Sequence, residues 1–429
     1  MRYALLTPHP NPLPQGERGG EFRHYPEKGV KEKMERVRLG IIGSQLAAHW
    51  HLKNLSKLRG LKVDVVAVAS KKIENARAFA KEFDIPDHYD DYRRILERPD
   101  VDVVDLCIPT DLHEEFSIQA VEAGKHVICE KPLTGYFGKE REEEQVGLTV
   151  RKELMLKEAL KGCDRIIQAV RKNRVKFMYA ENWIYAPPFE KLKRLMKTSG
   201  GTILEIRAEQ GHSGSQANYS RRWKTSGGGA LMRLGSHPVG GAIHLKHYEG
   251  MLRYGRPTRP KSVMAEVGHH TKIESFVKEK KKYLVSEWMD VEDWGVIVIN
   301  FEDGSKATVF ASDTVLGGVR NILNIFLSNA VIHVNINPHD VLEVYAPEPH
   351  IFGEEYIAEK LETKAGWNFP SPDDDWMKGF PQELEDFIDA IGLDREPISG
   401  IDLARDVVEV IYAAYASAEE GKRILLKRE

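Results

Sequence analysis

The chain has 429 residues, 41% of them hydrophobic and 30% charged, with a formal net charge of −3. That length calls for two folded domains, and the near balance of charge speaks against a nucleic-acid or membrane-surface role, which needs a basic face. No apolar run approaches the length of a membrane span. The three cysteines (Cys107, Cys129, Cys163) have neither metal-ligand spacing nor an even disulfide framework, as suits a reducing cytoplasm. Residues 1–36 are crowded with helix and sheet breakers, among them Pro8, Pro10, Pro12, Pro14, Gly16 and Gly19. A disordered tail is expected there, with Met34 as the natural start.

From Val37 the pattern changes. Val37 to Gly43 is a short buried strand that runs into Gly43-Ser44-Gln45-Leu46-Ala47-Ala48 and then into an amphipathic helix through Leu52, Leu55 and Leu58. This strand–turn–helix context is what a phosphate-binding turn requires. Gly43 permits the tight turn, Ala48 lets helix and strand approach, and the helix N-terminus offers free N–H groups to a pyrophosphate. Gln45 stands where the middle glycine of such turns is expected, and its side chain either crowds the pyrophosphate or hydrogen-bonds it. Val63 to Ala69 is a second apolar strand. It ends in Ser70-Lys71-Lys72, where an acid that would bind the 2′-hydroxyl of NAD is missing. A hydroxyl and two ammonium groups suit a 2′-phosphate and favour NADP, while a solvated basic turn compatible with NAD is the other reading.

A helix is predicted over Asn75 to Phe83 and a buried strand over Val101 to Ile108, ending in Pro109-Thr110. Leu112 to Ala123 is a helix stopped by Gly124, and His126 to Cys129 is a strand leading to Glu130-Lys131-Pro132. Alternating strands and helices imply a parallel, doubly wound sheet. A lysine at the carboxyl end of such a strand points into the crevice where open α/β sheets bind ligands, and Pro132 holds the preceding backbone extended. Gly135 to Val150 is an acidic insertion expected as a loop near the mouth of the site.

These residues together resemble the glucose–fructose oxidoreductase / inositol dehydrogenase / MocA family. The likeness rests on Gly40-Ile41-Ile42-Gly43 with His51 beyond it, the run Val101 to His113, Glu122-Ala123-Gly124-Lys125-His126-Val127, and Glu130-Lys131-Pro132. It continues in Ala180-Glu181-Asn182 with Tyr185 and Pro187, and in Gly227-Gly228-Gly229-Ala230-Leu231 leading to His237. The resemblance implies an NAD(P)-dependent oxidoreductase that moves hydride between nicotinamide and a secondary alcohol of a sugar, glycoside or cyclitol. Lys131 and His237 would be catalytic, the histidine as acid/base because its ordinary pKa lies near neutrality. The turn residues from Gly43 to Ala47, with Ser70, Lys71, Lys72, Pro109, Thr110, His113, Glu130, Lys131 and Asn182, would contact the cofactor. The Lys131–Pro132 bond is expected to be cis. Relatives usually carry an acid four residues before the histidine, whereas this chain has Arg233. A guanidinium there should lower the histidine pKa, or bind an anionic substrate such as a uronate. Two rival readings are an NAD-dependent glycosidase working by transient oxidation and elimination, and a non-catalytic nucleotide-binding protein, for which Gln45 and Arg233 are the motive.

After a strand from Val175 to Tyr179 and a helix from Phe189 to Lys197, strands are predicted at Thr202 to Glu209, Gly295 to Phe301, Lys306 to Ala311, Asn321 to Leu327, Val331 to Asn335 and Leu342 to Tyr345. Short connections such as Glu302-Asp303-Gly304 imply hairpins. The polar, aromatic stretch from His212 to Trp223 is either a polyol-binding loop or plain surface. His212, Trp183, Tyr185 and Arg233 are the candidate substrate contacts. Gly250 to Lys282 is a basic insertion without an assigned role. Its adjacent His269 and His270 point apart, and no metal site is expected.

The expected fold class is thus α/β. A Rossmann doubly wound parallel sheet over residues 37–182 precedes a C-terminal α+β domain, 183–429, with an open, mostly antiparallel sheet and closing helices that pack back on the first domain. The open sheet face is expected to build a homodimer or homotetramer in the cytoplasm.

Overall fold

The computed structural model describes residues 36–426 apart from 59, 61 and 338–340. The expected tail, residues 1–36, lies almost wholly outside the described residues. The first half is a six-stranded, fully parallel sheet in the order β3-β2-β1-β4-β5-β6. Its strands are β1 (Val37–Ile42), β2 (Val63–Ala69), β3 (Asp87–Tyr89), β4 (Val103–Leu106), β5 (His126–Glu130) and β6 (Phe177–Ala180). Val37, Leu39, Ile41, Val103, Val104, Val127 and Ile128 are all buried, as expected of strands covered on both faces. Strand order reverses between β1 and β4, which opens a crevice at their carboxyl ends. Gly43 sits in that crevice with φ +110°, and a Cβ on it would fall 2.0 Å from the Cys107 carbonyl oxygen, so the turn accepts only glycine.

The second half is a seven-stranded sheet in the order β12-β11-β7-β10-β9-β8-β15. It contains β7 (Ile203–Gly211), β8 (Pro260–Gly268), β9 (Trp294–Phe301), β10 (Lys306–Ser312), β11 (Arg320–Leu327), β12 (Val331–Asn335) and β15 (Ile424–Leu425). Every neighbouring pair is antiparallel except β7 with β10. Along β9 and β11 burial alternates, so one face packs on helices and the other stays partly open. The helix Ser236–Tyr254 packs against β7 and β10, and the closing helix Ile401–Glu420 lies against it, against β8 and against the helix Lys152–Asn173 of the first half. No helix among the described residues is long and apolar enough to cross a membrane.

Three local expectations need correction. The segment Gly135 to Val150 is the expected loop, half-exposed and with one short helix, Val146–Thr149, but buried anchors strap it down away from the site mouth. Tyr136, Phe137 and Val146 are buried, the Trp223 Nε1–H donates to the Tyr136 carbonyl at 3.0 Å, and the Gly147 N–H donates to Asp290 at 2.9 Å. The basic stretch Gly250 to Lys282 contains β8, which pairs along its length with β9. The predicted strand Leu342 to Tyr345 is displaced to β13 (Val344–Ala346), which pairs only with β14 (Gly366–Asn368) in a separate ribbon.

Candidate active site

β5 ends at Glu130, and Lys131 follows. β6 pairs with β5, Ala180 opposite Glu130, and Glu181 follows at once. Two adjacent parallel strands thus deliver a lysine and a carboxyl to one edge. His237 arrives from the other half, in the first turn of the helix Ser236–Tyr254. Its Nδ1 lies 2.7 Å from Glu181 Oε1. Its ring lies nearly parallel to that of Trp183, with centroids 5.8 Å apart and an interplanar angle of 8°. The Lys131 ammonium donates to the backbone carbonyl of Arg233 at 2.8 Å, which ties the two halves together at this edge. The Lys131–Pro132 peptide is cis.

Burial disfavours every charge here. It pushes the Glu181 carboxyl well above the usual range, against the pull of the Lys131 ammonium. Burial, and then the same ammonium, push His237 well below its ordinary value. Burial also lowers Lys131, opposed by the carboxylates of Glu130 and Glu181. Groups this close titrate as a unit. When protonated, the pair carries one proton on Nε2 and a second shared between Nδ1 and Glu181 Oε1. When it loses one proton, the Glu181 carboxylate accepts from Nδ1–H and Nε2 is bare. The first state is a general acid and the second a general base toward an oxygen placed at Nε2.

A second buried chain stands behind Lys131. His51 Nδ1 lies 2.7 Å from Asp105 and its Nε2 lies 3.1 Å from Glu130. Burial opposes charge on this imidazole, but Asp105 and Cys107 beside it raise its pKa well above the ordinary value. His51 in turn holds Glu130 below the usual carboxylate range despite its burial. The other oxygen of Glu130 accepts the Lys131 N–H at 3.0 Å. The chain Asp105–His51–Glu130 therefore fixes the backbone that carries the ammonium.

A cavity of about 840 Å³ opens on these groups, with Trp183, Asn182, Gln210, His212, Asn321 and His237 in its wall. His212 Nδ1 accepts the Gly214 N–H at 2.9 Å. Burial pushes its pKa down to about 4, so at neutral pH its approach to Asp313 is not an ion pair. Asn182 donates to the Lys378 carbonyl at 2.8 Å.

Residues 37–146 match the profile described as "Oxidoreductase family, NAD-binding Rossmann fold", and residues 189–333 match the one described as "GFO/IDH/MocA C-terminal domain". The chain belongs to the GFO/IDH/MocA oxidoreductases. Among curated relatives it is 38% identical over 122 residues to "dTDP-3,4-didehydro-2,6-dideoxy-alpha-D-glucose 3-reductase" of Saccharopolyspora spinosa, a match covering 28% of this chain and 36% of that protein. It is 24% identical over 378 residues to "Uncharacterized oxidoreductase YrbE" of Bacillus subtilis (strain 168), covering 86% and 90%. The matches with the first curated relatives span only about a third of their length. The solved structure of GenD2 from gentamicin A biosynthesis, in complex with NAD, superposes with a TM-score of 0.74 at 22% identity, covering 94% of this chain and 99% of that one.

Like the family's nucleotide-binding half, this one fits a dinucleotide. The helix Leu46–Leu55 has no side-chain cap, which leaves its first N–H groups for an anion. Ser44 Oγ donates to Ser70 Oγ at 2.9 Å, tying the turn to the end of β2, beyond which Lys71 and Lys72 are exposed. Gln45 is exposed at the start of the helix, next to Leu46, which reaches the cavity wall, and Ala47. Pro109 and Thr110 follow β4 across the crevice. The glycine turn, Lys131 and Glu181 thus share one carboxyl edge.

Three candidate residues are placed differently from expectation. Both ring nitrogens of buried His113 face backbone carbonyls, Pro132 at 2.9 Å and Ile108 at 3.0 Å. It staples the β4 loop to the Lys131–Pro132 turn and has no nitrogen left for a cofactor. The Tyr185 hydroxyl is buried between Asp386 (2.8 Å) and the Ser399 N–H (2.9 Å), away from the cavity wall. Arg233 forms a buried ion pair with Asp313 and stacks under Trp288, 4.7 Å from its centroid, so its charge is already matched and does not select an anionic substrate. The lowering of His237 comes from burial and Lys131 rather than from Arg233. Sequence reading missed Glu181 as the partner of His237, although it lies within the quoted run Ala180-Glu181-Asn182. It also missed Gln210 and Glu383, which carry no motif.

Proposed function

We propose that this chain is an NAD(P)-dependent oxidoreductase that transfers hydride between nicotinamide C4 and a secondary carbinol of a sugar, glycoside or cyclitol. The observation that carries the reading is the 2.7 Å contact of His237 with Glu181, beside Lys131, at the ligand-binding edge of an NAD-binding fold. When bound, the nicotinamide supplies the hydride acceptor or donor. Lys131 places positive charge where the carbinol oxygen becomes alkoxide-like, and its burial makes that charge worth more than it would be in water. In the oxidative direction, bare Nε2 of His237 takes the hydroxyl proton while Glu181 stabilises the new charge on the ring. In the reductive direction, Nε2–H returns a proton to the carbonyl oxygen. Trp183 holds the imidazole plane. The sugar-reductase name of the Saccharopolyspora relative supports the substrate class.

Lys71 and Lys72 favour NADP over NAD. The polar wall of Gln210, His212 and Asn321 suits hydroxyl groups. The open face of the second sheet, with Met264 and Phe310 exposed, is the surface for a homodimer or homotetramer. Three buried free cysteines fit a cytoplasmic protein. Glu181 beside His237 favours the catalytic readings over the non-catalytic one.

The test is reduced-nicotinamide absorbance with a panel of sugars and cyclitols and either nucleotide. Lys131→Ala should lower kcat by about a hundredfold or more while nucleotide affinity stays within about twofold. Full activity in that variant, or no turnover with any of the panel, overturns the reading. Glycoside cleavage without accumulating reduced nicotinamide would instead favour the transient-oxidation glycosidase.

A further inference from the structure

The Gly-rich turn Gly227-Gly228-Gly229, the strapped loop Gly135 to Val150 and the basic stretch Gly250 to Lys282 meet at one place, residues 290–293, just before β9. Glu292, 3% exposed, takes three successive backbone N–H groups there. Its Oε2 accepts from Gly229 at 3.0 Å, its backbone carbonyl from Ala230 at 3.0 Å and its Oε1 from Leu231 at 2.9 Å. The Tyr415 hydroxyl of the closing helix donates to Oε1 at 2.8 Å and accepts the Gly229 N–H at 3.1 Å. A Cβ on Gly229 would fall 1.9 Å from the Glu292 carbonyl oxygen and 2.5 Å from Oε2, so the contact itself demands glycine. The segment is braced from both sides. Asp290 accepts the N–H groups of Gly147, in the strapped loop, and of Trp223, each at 2.9 Å. Asp293 accepts those of His270 and Thr271, in the basic stretch, at 2.7 and 2.8 Å.

The N–H groups that Glu292 holds open a single helical turn, Ala230–Arg233. The carbonyl at the far end of that turn receives the Lys131 ammonium at 2.8 Å. We propose that Glu292 is a positioning residue for Lys131: it pins the start of this turn, and the turn presents the Arg233 carbonyl that aims the ammonium. The proposal deepens the oxidoreductase reading and rests on it. The three hydrogen bonds to the Glu292 side chain all come from donors, an arrangement that suits a carboxylate, which only accepts. An amide of the same shape sets its NH2 against a backbone N–H in either orientation. Burial pushes the Glu292 carboxyl up to about 7, against the pull of the Tyr415 hydroxyl and the Leu231 N–H, so the carboxylate prevails at about pH 8.5.

The experiment compares Glu292→Gln with the wild-type full chain at that pH by two readouts. With D-glucose, D-xylose or myo-inositol as substrate, kcat should fall about tenfold while KM and nucleotide affinity stay within about twofold. In a Lys131→Ala background the same substitution should cost less than about twofold, because its effect passes through the ammonium. The second readout needs no turnover: acetylation of Lys131 by acetic anhydride, followed by peptide mass spectrometry. It should run about threefold or more faster in Glu292→Gln, since an ammonium that loses its carbonyl acceptor sheds its proton more easily. Tyr415→Phe removes one donor and keeps the carboxylate; it should move both readouts the same way by a smaller factor, and it carries the test where Glu292→Gln does not fold. Additive losses in the double variant, a defect confined to KM, or unchanged kcat and labelling overturn the proposal. If a sugar reduces the nucleotide and neither readout moves, the proposal fails and the oxidoreductase reading stands. If Lys131 labelling rises as expected but no probe reduces the nucleotide, the positioning is supported and the oxidoreductase reading is the one that fails.

Discussion

Replacing Glu181 by glutamine isolates what the carboxyl does for His237. The amide has nearly the same shape, so it can still lie 2.7 Å from Nδ1, but it cannot take a negative charge or exchange a proton with the ring. In oxidation the imidazole becomes cationic as it takes the hydroxyl proton, and the wild-type carboxylate then faces a full positive charge. Taking about 4 Å between charge centres and an effective dielectric of about 20, that attraction is about 4 kcal/mol. It corresponds to about a thousandfold in rate as an upper bound. The repulsion from Lys131, which already lowers His237, makes the loss harder to absorb elsewhere. Single-turnover kinetics with saturating nucleotide and alcohol should show kcat reduced by about 10²- to 10³-fold, KM changed little, and the limb of the pH profile that reports the Glu181–His237 pair displaced or lost. Loss in both directions of the reaction is expected, because one proton inventory serves both. A variant that keeps its melting temperature and kcat, or one whose whole defect lies in KM, would refute the dyad and return Glu181 to a packing role.

Two other outcomes follow from the geometry. Neutral replacements at exposed Lys71 and Lys72 should weaken NADP about tenfold or more while leaving NAD within about twofold; titrations followed by nicotinamide fluorescence measure both, and unchanged selectivity removes these lysines from phosphate recognition. His212 has its folded pKa depressed to about 4 by burial, so its contribution to stability is whole above its unfolded value near 6.5 and is lost as pH falls through about 4. The shift is worth about 3 kcal/mol, and urea denaturation from pH 7 to 4 should show a shallower decline in His212→Asn, whose side-chain oxygen can still accept the Gly214 N–H. Equal slopes for the two proteins would refute it.

Much of this arrangement is legible before any coordinates. β1, β4 and β5 are runs of Val, Leu and Ile whose buried setting follows from composition, and a lysine after the last of them falls at the crevice by topology alone. The residues that misled are those whose partners lie far off in sequence. Arg233 meets Asp313, 80 residues away, and Tyr185 meets Asp386, 201 away, so neither local periodicity nor motif could show that their polar atoms were already matched. The strap and β8 were hidden differently. Their few buried anchors, Tyr136, Phe137 and Val146 in one and Ser262 and Val263 in the other, sit among charged residues that dominate composition. Glu181 was visible as a letter but not as a partner, because only the pairing of β5 with β6 puts it next to Lys131.

The departure at Arg233 then acquires a physical cause. An imidazole that works as base and acid is helped by one carboxyl at Nδ1, and the family pattern implied by sequence has an acid four residues before the histidine. Here Glu181 reaches the same nitrogen from the end of β6. A second carboxylate at 233 would add a like charge to a buried site that already holds Glu130 and Glu181, at a cost that burial magnifies. Position 233 is freed for another task. Its guanidinium turns to Asp313 and stacks under Trp288, and its backbone carbonyl receives the Lys131 ammonium. The arginine at 233 therefore leaves the proton chemistry of the histidine to Glu181, and it holds the wall of the cleft whose backbone carbonyl positions the lysine.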